Sequence, residues 1–470
     1  MNFKTIFKSL KNKDMRKRIL AVVGLLVAYR IIAHIPVPLG DAANFKTAIT
    51  NLIESTNLGG FINLISGGGL ADMSIIMVGL SPYITASIVM QVLTKGIPQL
   101  EELSKDGEVG RRKINQWTRI LTVPLAIVQS ITYIYLLSQR VLSIGTTGDI
   151  ELTKGAWALG VACMTAGSIL LMWLGELITE KGIGNGTSTI ILCSIVANFP
   201  RLFSTMTMNL FNTSNGTLNL FGWLELPVDP NFFWTTIALV LGLILVLYLL
   251  VKLNEAQRIV TVNYAKRVHG NSAYGGIKSI IPIKLISAGV IPVIFAVAFL
   301  SVPSFIGQVI ERKDPNSQIA ANLIELFTAP NSSDYNQYTG LTWKDYVYPA
   351  CYFVLVILFT YIYTSVMYNT QDYAENLQKQ GGFIEGVRPG KQTEKYFSNI
   401  MNRLNLFGSV SLGLIAMLPY IIDFIAIKTI NRPLDLSISG TSLLIVVTVA
   451  IENIRTLNSR ALMVTYDDYK

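Results

Sequence analysis

Ten stretches of the chain stay apolar long enough to be read as membrane-crossing helices. They cover residues 19–35, 75–93, 120–137, 156–174, 187–203, 232–251, 285–305, 346–367, 404–422 and 437–454. A helix needs about 20 apolar residues to cross the hydrocarbon core. The fifth and tenth stretches are broken by Thr, Ser and Asn, so the pattern gives nine or ten spans. Two of them share punctuation: Gly79-Leu80-Ser81-Pro82 in the second and Gly289-Val290-Ile291-Pro292 in the seventh. Matching interruptions five spans apart suggest a five-plus-five repeat with the working site between halves. The pattern predicts an all-α polytopic membrane protein. Its divisions are a segment over 1–18, one half over 19–206, a second over 207–455 and a tail over 456–470.

Composition agrees. Of 470 residues, 51% are hydrophobic and 14% charged, against about 25% charged in soluble domains. The net charge of +9 reads as orientation rather than nucleic-acid binding. With an inside N-terminus, 28 Lys and Arg fall in inside segments and 8 in outside loops, with Arg30 inside the first span and Arg201 near the end of the fifth. That bias places both termini in the cytoplasm. The first span follows seven basic residues and runs on to Ile35-Pro36 without a small-residue cleavage site, so it reads as a retained helix.

Charge and loop length single out three inside segments. Loops over about 252–284 and 369–403 are long and basic, and a shorter one over 94–119 mixes basic and acidic residues. Each reads either as a solvated positive-inside loop or as a docking surface for a cytosolic partner. No span or loop looks able to build a soluble domain, and the outer stretch over 302–345 has too little apolar content for a core.

Candidate chemistry is sparse. Three cysteines and two histidines offer neither a disulfide framework nor zinc-ligand spacing. The stretch Gly386-Val-Arg-Pro-Gly390-Lys391-Gln392 is one residue short of a phosphate loop, and Gln392 stands where a magnesium-binding hydroxyl belongs. No enzyme and no cofactor are expected. Glu176, Asp423 and Glu452 sit at span ends, whereas ion-coupled transporters keep ionisable groups at mid-membrane. Arg30 either snorkels outward or pairs with a polar group of another span. Before the second span, residues 64–75 read LISGGGLADMSI, too short to cross and rich in glycine. This stretch is either a loop on the outer face or a short re-entrant element.

Several segments resemble the SecY family, the central subunit of the protein-conducting channel, in its bacterial type. They are LISGGGLADMSI, GLSPYITASIVMQ (79–91), GRRKINQWTR (110–119), GELITEKGIGNG (175–186), VNYAKRVHGN (262–271), IPIKLISAGVIPVIFA (281–296), QGGFIEGVRPGKQT (380–393) and GTSLLIVV (440–447). The resemblance implies ten helices in two pseudo-symmetric five-helix halves around an hourglass pore. It implies a plug over about 60–73, including Ile65, Ser66, Gly67, Gly68, Gly69 and Leu70. A pore ring would comprise Leu80, Ile84, Thr187, Ile191, Ile294 and Ile445, with Thr187 departing from the usual isoleucine. A lateral gate between the second and third helices and the seventh and eighth would carry Gln91 and Gln129. Docking of the ribosome and of the SecA ATPase would use Arg258, Lys266, Arg267 and Arg388, with Gln257 replacing one of the family's paired basic residues. Other implied partners are SecE and SecG subunits, secretory polypeptides with their signal sequences, and membrane lipids.

The function expected is a channel in the cell membrane that passes unfolded polypeptide and releases hydrophobic segments into the bilayer. A secondary transporter of a small solute and an insertase without an open pore are the alternatives.

Overall fold

The computed structural model describes residues 13–38, 73–143, 154–181, 184–211, 218–220, 224–226, 230–264, 267–269, 272–274, 278–286, 289, 291–313, 317–327, 343–367, 370–430 and 440–467. Each apolar stretch coincides with a helix. In chain order these are α1 (Lys13–Ala33), α2 (Ser81–Gly96), the short α3 (Pro98–Lys105), α4 (Gly107–Ser143), α5 (Lys154–Lys181) and α6 (Gly186–Leu210). After a small hairpin of β1 (Leu218–Leu220) and β2 (Leu224–Leu226) comes α7 (Pro230–Glu255). Strands β3 (Gln257–Tyr264), β4 (Arg267–His269), β5 (Ser272–Tyr274) and β6 (Lys278–Lys284) follow. The remainder is α8 (Ile291–Lys313), α9 (Gln318–Phe327), α10 (Val347–Met367), α11 (Thr370–Lys379), β7 (Gly382–Phe383), α12 (Lys391–Ile430) and α13 (Gly440–Asp467).

Three stretches among the described residues, Lys154–Lys181, Trp343–Thr364 and Lys391–Leu418, are long and apolar enough to cross a bilayer by length and composition. Large apolar side chains lie open on several helices, as Leu20, Leu241 and Leu245 do. In water such a surface would drive association. On a membrane protein it is the side that meets lipid.

Two helices start later than hydropathy predicts. The second span was expected from 75, but α2 begins at Ser81. The seventh was expected from 285, but α8 begins at Ile291. Gly79 (φ 65°) and Gly289 (φ 64°) are both left-handed, which no right-handed helix accommodates. Each is followed by a proline in the first turn of its helix, where a missing N–H costs nothing. Apolar residues precede both glycines, so hydropathy alone misplaces the start.

Contacts divide the chain into two units, one of Met1–Phe232 with Val449–Lys470, the other of Phe233–Thr448. In the first unit α4 packs on α2 and α5, α5 packs on α6, and α1 lies on α5 and α6. Tyr29 of α1 is fully buried and its hydroxyl shares a 2.6 Å hydrogen bond with Ser194 of α6. Arg30 lies in hydrogen-bonding reach of the Tyr29 hydroxyl and beside Cys193. Its charge therefore lies beside a tyrosine of its own helix and a cysteine of α6.

In the second unit α10 packs on α8 and α12, and α9 folds back onto α8. Gly307 lets α9 come close, since a Cβ there would meet Ile324 at 2.9 Å. The outer stretch thus contains a helix seated on its neighbour. The two basic loops over 252–284 and 369–403 also join into one packed body. Antiparallel strands run in the order β6-β3-β7. Their inner face buries Val260, Val262 and Ile283 against Leu377 of α11, Ile384, and Phe397 and Met401 of α12. The sequence reading allowed no such core, because its pieces lie more than a hundred residues apart.

Candidate functional site

The motif Gly175–Gly186 builds a tight α5–α6 junction. A Cβ on Gly186 would run into the Gly175 carbonyl oxygen. Gly184 turns the chain with φ 78°, and a Cβ there would strike the Asn453 side chain of α13. The Thr179 hydroxyl donates to the Gly175 carbonyl (2.8 Å) and accepts from the Gly186 N–H (2.8 Å). Asn185 then caps α6, its Oδ1 accepting from the Thr187 N–H (3.1 Å) and from the Thr187 hydroxyl (2.7 Å). An N-cap of this kind satisfies donors that the first turn leaves open. Thr187 is thus engaged on both sides: its hydroxyl serves the cap, and its methyl lies against Gly175. Ile191, one turn on, is buried.

The motif starting at Gly79 sets the head of α2 in the same manner. The Gly79 carbonyl accepts from the buried Ser168 hydroxyl of α5 (3.0 Å). A Cβ on Gly167 would land on the Ile75 carbonyl oxygen. Upstream, the Val37 N–H donates to the Met73 carbonyl (2.8 Å) and the Ile75 N–H to the Ile35 carbonyl (3.0 Å). The Ser74 hydroxyl donates to the Ile32 carbonyl (2.9 Å). The end of the expected plug segment is therefore pinned to the end of α1. The plug residues Ile65, Ser66, Gly67, Gly68, Gly69 and Leu70 lie outside the described residues.

All six expected ring positions share one local setting. Leu80 is the N-cap residue of α2, and Ile84 lies one turn on, its N–H donating to the Leu80 carbonyl (2.9 Å). Thr187 and Ile191 occupy the first two turns of α6, Ile294 the first turn of α8, and Ile445 the second turn of α13. Leu80, Ile191 and Ile445 are buried, while Ile84, Thr187 and Ile294 are half-buried. The structure brings Leu80 with Ile84, and Thr187 with Ile191, onto successive turns of single helices.

Gln91 of α2 donates to Ser87 on its own helix (3.3 Å). Among the described residues its Oε1, like that of Gln129 on α4, is buried without a hydrogen-bond partner. Polar side chains in spanning segments commonly bond across helices. Sequence reading missed the interhelical ion pair of Arg119 Nε with Glu176 Oε1 (2.7 Å), which ties α4 to α5. Each residue looks ordinary alone at a span end, so no local signal marks the pair.

On the body built around the three-stranded sheet, Arg258 is exposed on β3 and Arg388 is exposed in the turn before α12. That turn is rigid. Gly386 (φ 80°) and Gly390 (φ 100°) bracket it, and the Val387 N–H donates to the Ile384 carbonyl (3.1 Å). The buried Thr393 hydroxyl donates to the Arg388 carbonyl (3.1 Å). Arg267 lies on β4, and Lys266 lies outside the described residues. Among the described residues no group of three or more His, Cys, Asp or Glu gathers as a metal site.

Comparison with known proteins places this architecture. The SecY family model matches residues 74–454. The chain is 36% identical to the protein translocase subunit SecY of Streptomyces galbus, with 98% of each chain covered. The figures are the same for that of Corynebacterium glutamicum, and identity is 34% for that of Mycobacterium tuberculosis. Among solved structures, a protein-conducting channel aligns with TM-score 0.55 at 19% identity, covering 93% of this chain and 90% of that one. Sec61 from a canine ribosome–channel complex aligns with TM-score 0.52 at 18% identity over the same shares. These structures share the fold. With the glycine-built helix junctions running through the matched region and the relatives spanning almost the full length, the chain belongs to the SecY family.

Proposed function

We propose that this protein is the channel subunit of a protein translocase. It passes unfolded polypeptide across the cytoplasmic membrane and releases apolar segments sideways into lipid. The observation that carries this reading is near full-length relation to proteins named protein translocase subunit SecY. Leu80, Ile84, Thr187, Ile191, Ile294 and Ile445 form the constriction. Aliphatic side chains offer water no hydrogen bond, so a narrow ring of them dewets and closes to ions. They also give a sliding chain no site to stick to. The segment over about 60–73 plugs the closed channel.

Lateral release puts α2 and α4 on one side of the exit and α8 and α10 on the other, with Gln91 and Gln129 as its polar positions. A Leu-type residue favours the bilayer centre by about 0.3–0.6 kcal/mol, and Asp, Lys or Arg disfavours it by about 2.5–3.5 kcal/mol. Segments of about 20 apolar residues therefore partition outward. The basic faces bearing Arg258, Lys266, Arg267 and Arg388 dock the ribosome and the SecA ATPase, which supply the driving energy. SecE and SecG subunits complete the complex. Both termini face the cytoplasm, in keeping with the Lys and Arg distribution.

The test is disulfide crosslinking of a stalled export intermediate to single cysteines at positions 84, 294 and 445. All three should trap the threading chain. An intermediate that reaches none of them overturns the pore. Arg388→Glu should lower transport severalfold while the protein itself still inserts normally; unchanged transport removes Arg388 from docking.

A further inference from the structure

Four residues of the expected ring, Leu80, Ile84, Thr187 and Ile191, sit at the heads of α2 and α6 in the first unit. Both heads rest on one helix, α5. The Ser168 hydroxyl holds the head of α2 through the Gly79 carbonyl. The head of α6 lies so close that a Cβ on Gly175 would stand 3.0 Å from the Thr187 methyl. A shift of α5 along its axis therefore carries both pairs of ring residues with it.

Helix α4 fixes α5 in turn. Arg119 Nε donates to Glu176 Oε1 (2.7 Å), and the Thr165 hydroxyl donates to the Ser130 hydroxyl (3.3 Å). Ser130 lies eleven residues after Arg119, and Thr165 lies eleven before Glu176. Eleven residues close about three helical turns. The two antiparallel helices thus meet along one stripe with a tie at each end. The ties are unequal. Thr165 also donates to the Val161 carbonyl of its own helix (2.8 Å), so its bond to Ser130 is shared, long and neutral. The Arg119–Glu176 bond is short and charged on both sides, which is the strong class of hydrogen bond.

The charged tie also sits beside the ring. Glu176 follows Gly175, the residue against Thr187. Tyr83, next to Ile84 on α2, is near enough to both side chains to sense each charge. We propose that the Arg119–Glu176 ion pair positions Ile84 and Thr187, holding α4 and α5 in one register so that the ring stays sealed around a threading chain. The inference rests on the channel reading above and names what sets the fit of its constriction. Arg119 and Glu176 are positioning residues, acting through Tyr83 and Gly175. Apolar helix faces attract without direction, so they let a pushed helix slide, whereas an ion pair of fixed geometry selects one register. Glu176 is the more buried partner, at 24% exposure against 51% for Arg119. Loss of either partner leaves the other charge uncompensated, which disturbs a site more than exchange of both.

The experiment places the complete complex in a planar bilayer with a secretory precursor stalled in the pore by a folded C-terminal domain. The plug segment is then out of the way, and potassium chloride conductance past the stalled chain reports the ring alone. Glu176→Gln should raise that conductance about two- to fivefold, the range expected for loss of a partly exposed ion pair. Exchanging the charges, Arg119→Glu with Glu176→Arg, should bring it back to the parent level. Thr165→Val removes the neutral tie between the same helices and should leave the conductance close to the parent's. Unchanged conductance in Glu176→Gln overturns the inference. So does a charge exchange that leaks like the single variant, or a Thr165→Val that leaks as much. Where Glu176→Gln fails to accumulate in the membrane, Arg119→Gln takes its place and is held to the same outcomes. A parent complex whose stalled precursor reaches none of positions 84, 294 and 445 overturns the channel reading and this inference together.

Discussion

The heads of α2 and α8 repeat one device in the two units, but with unequal support. In each, a left-handed glycine precedes a helix whose first turn holds a proline. In each, a glycine of a later helix makes room for the carbonyl four residues before that left-handed glycine. Gly167 of α5 faces the Ile75 oxygen, and a Cβ on Gly408 of α12 would come within 2.6 Å of the Leu285 oxygen. A buried serine follows both, Ser168 and Ser409. Here the two part. Ser168 reaches across to bond the Gly79 carbonyl, whereas Ser409 bonds the Leu406 carbonyl of its own helix (3.0 Å). Among the described residues nothing comes within 4 Å of a Cβ on Gly289. Among the described residues the same local chemistry therefore includes a bond between helices at the head of α2, while the corresponding serine of α12 bonds its own helix.

Substitutions sharpen that contrast in order of expected effect. Gly167→Ala should be the most damaging, because its Cβ meets backbone that cannot yield; overpacking of this kind costs about 1–3 kcal/mol, sometimes more. Gly408→Ala should follow closely. Both are read from the yield of folded, protease-resistant protein, and equal tolerance with the parent chain breaks the parallel. Ser168→Ala should cost about 1–3 kcal/mol, since it leaves the Gly79 carbonyl short of a partner in a buried place. Ser409→Ala should cost much less, because its acceptor already belongs to a helix. Thermal unfolding of the two detergent-solubilised variants measures the difference, and equal shifts would refute the asymmetry. Gly289→Ala should stay below Gly167→Ala, at about 1–2 kcal/mol of backbone strain alone. A loss there matching Gly167→Ala would show that α8 is as tightly held as α2.

Much of this fold is legible in the sequence because lipid contact enforces long apolar runs. Where those runs end is less legible. Residues 75–80 and 285–289 are as apolar as the helices they precede, and hydropathy carries no trace of a positive φ at Gly79 or Gly289. The Gly-x-x-Pro pattern was the available signal, and Gly-Ser at 167–168 and 408–409 was its unread counterpart. Small residues at helix contacts are a general membrane device. The core beneath the three-stranded sheet escaped notice for a different reason. Val260, Ile283 and Phe397 come from separate segments, and no local window contains enough apolar residues to announce a core. Arg388 and Arg258 are expected docking positions from the family motifs alone. The rigidity of the Arg388 turn, set by Thr393 and two left-handed glycines, depends on contacts that spacing does not encode.

The body built around the three-stranded sheet carries a mechanical consequence. Strand β3 continues α7 with a single residue between them, β6 leads into α8 within seven residues, and α12 begins inside the body at Lys391 and runs on through Phe397 and Met401 without a break. Among the described residues, only Ala256 separates the body from α7, and α12 grows out of it without interruption. A load on the arginine-bearing turn would therefore reach both helices directly, so that gripping the outside of the molecule is already a way of moving its interior.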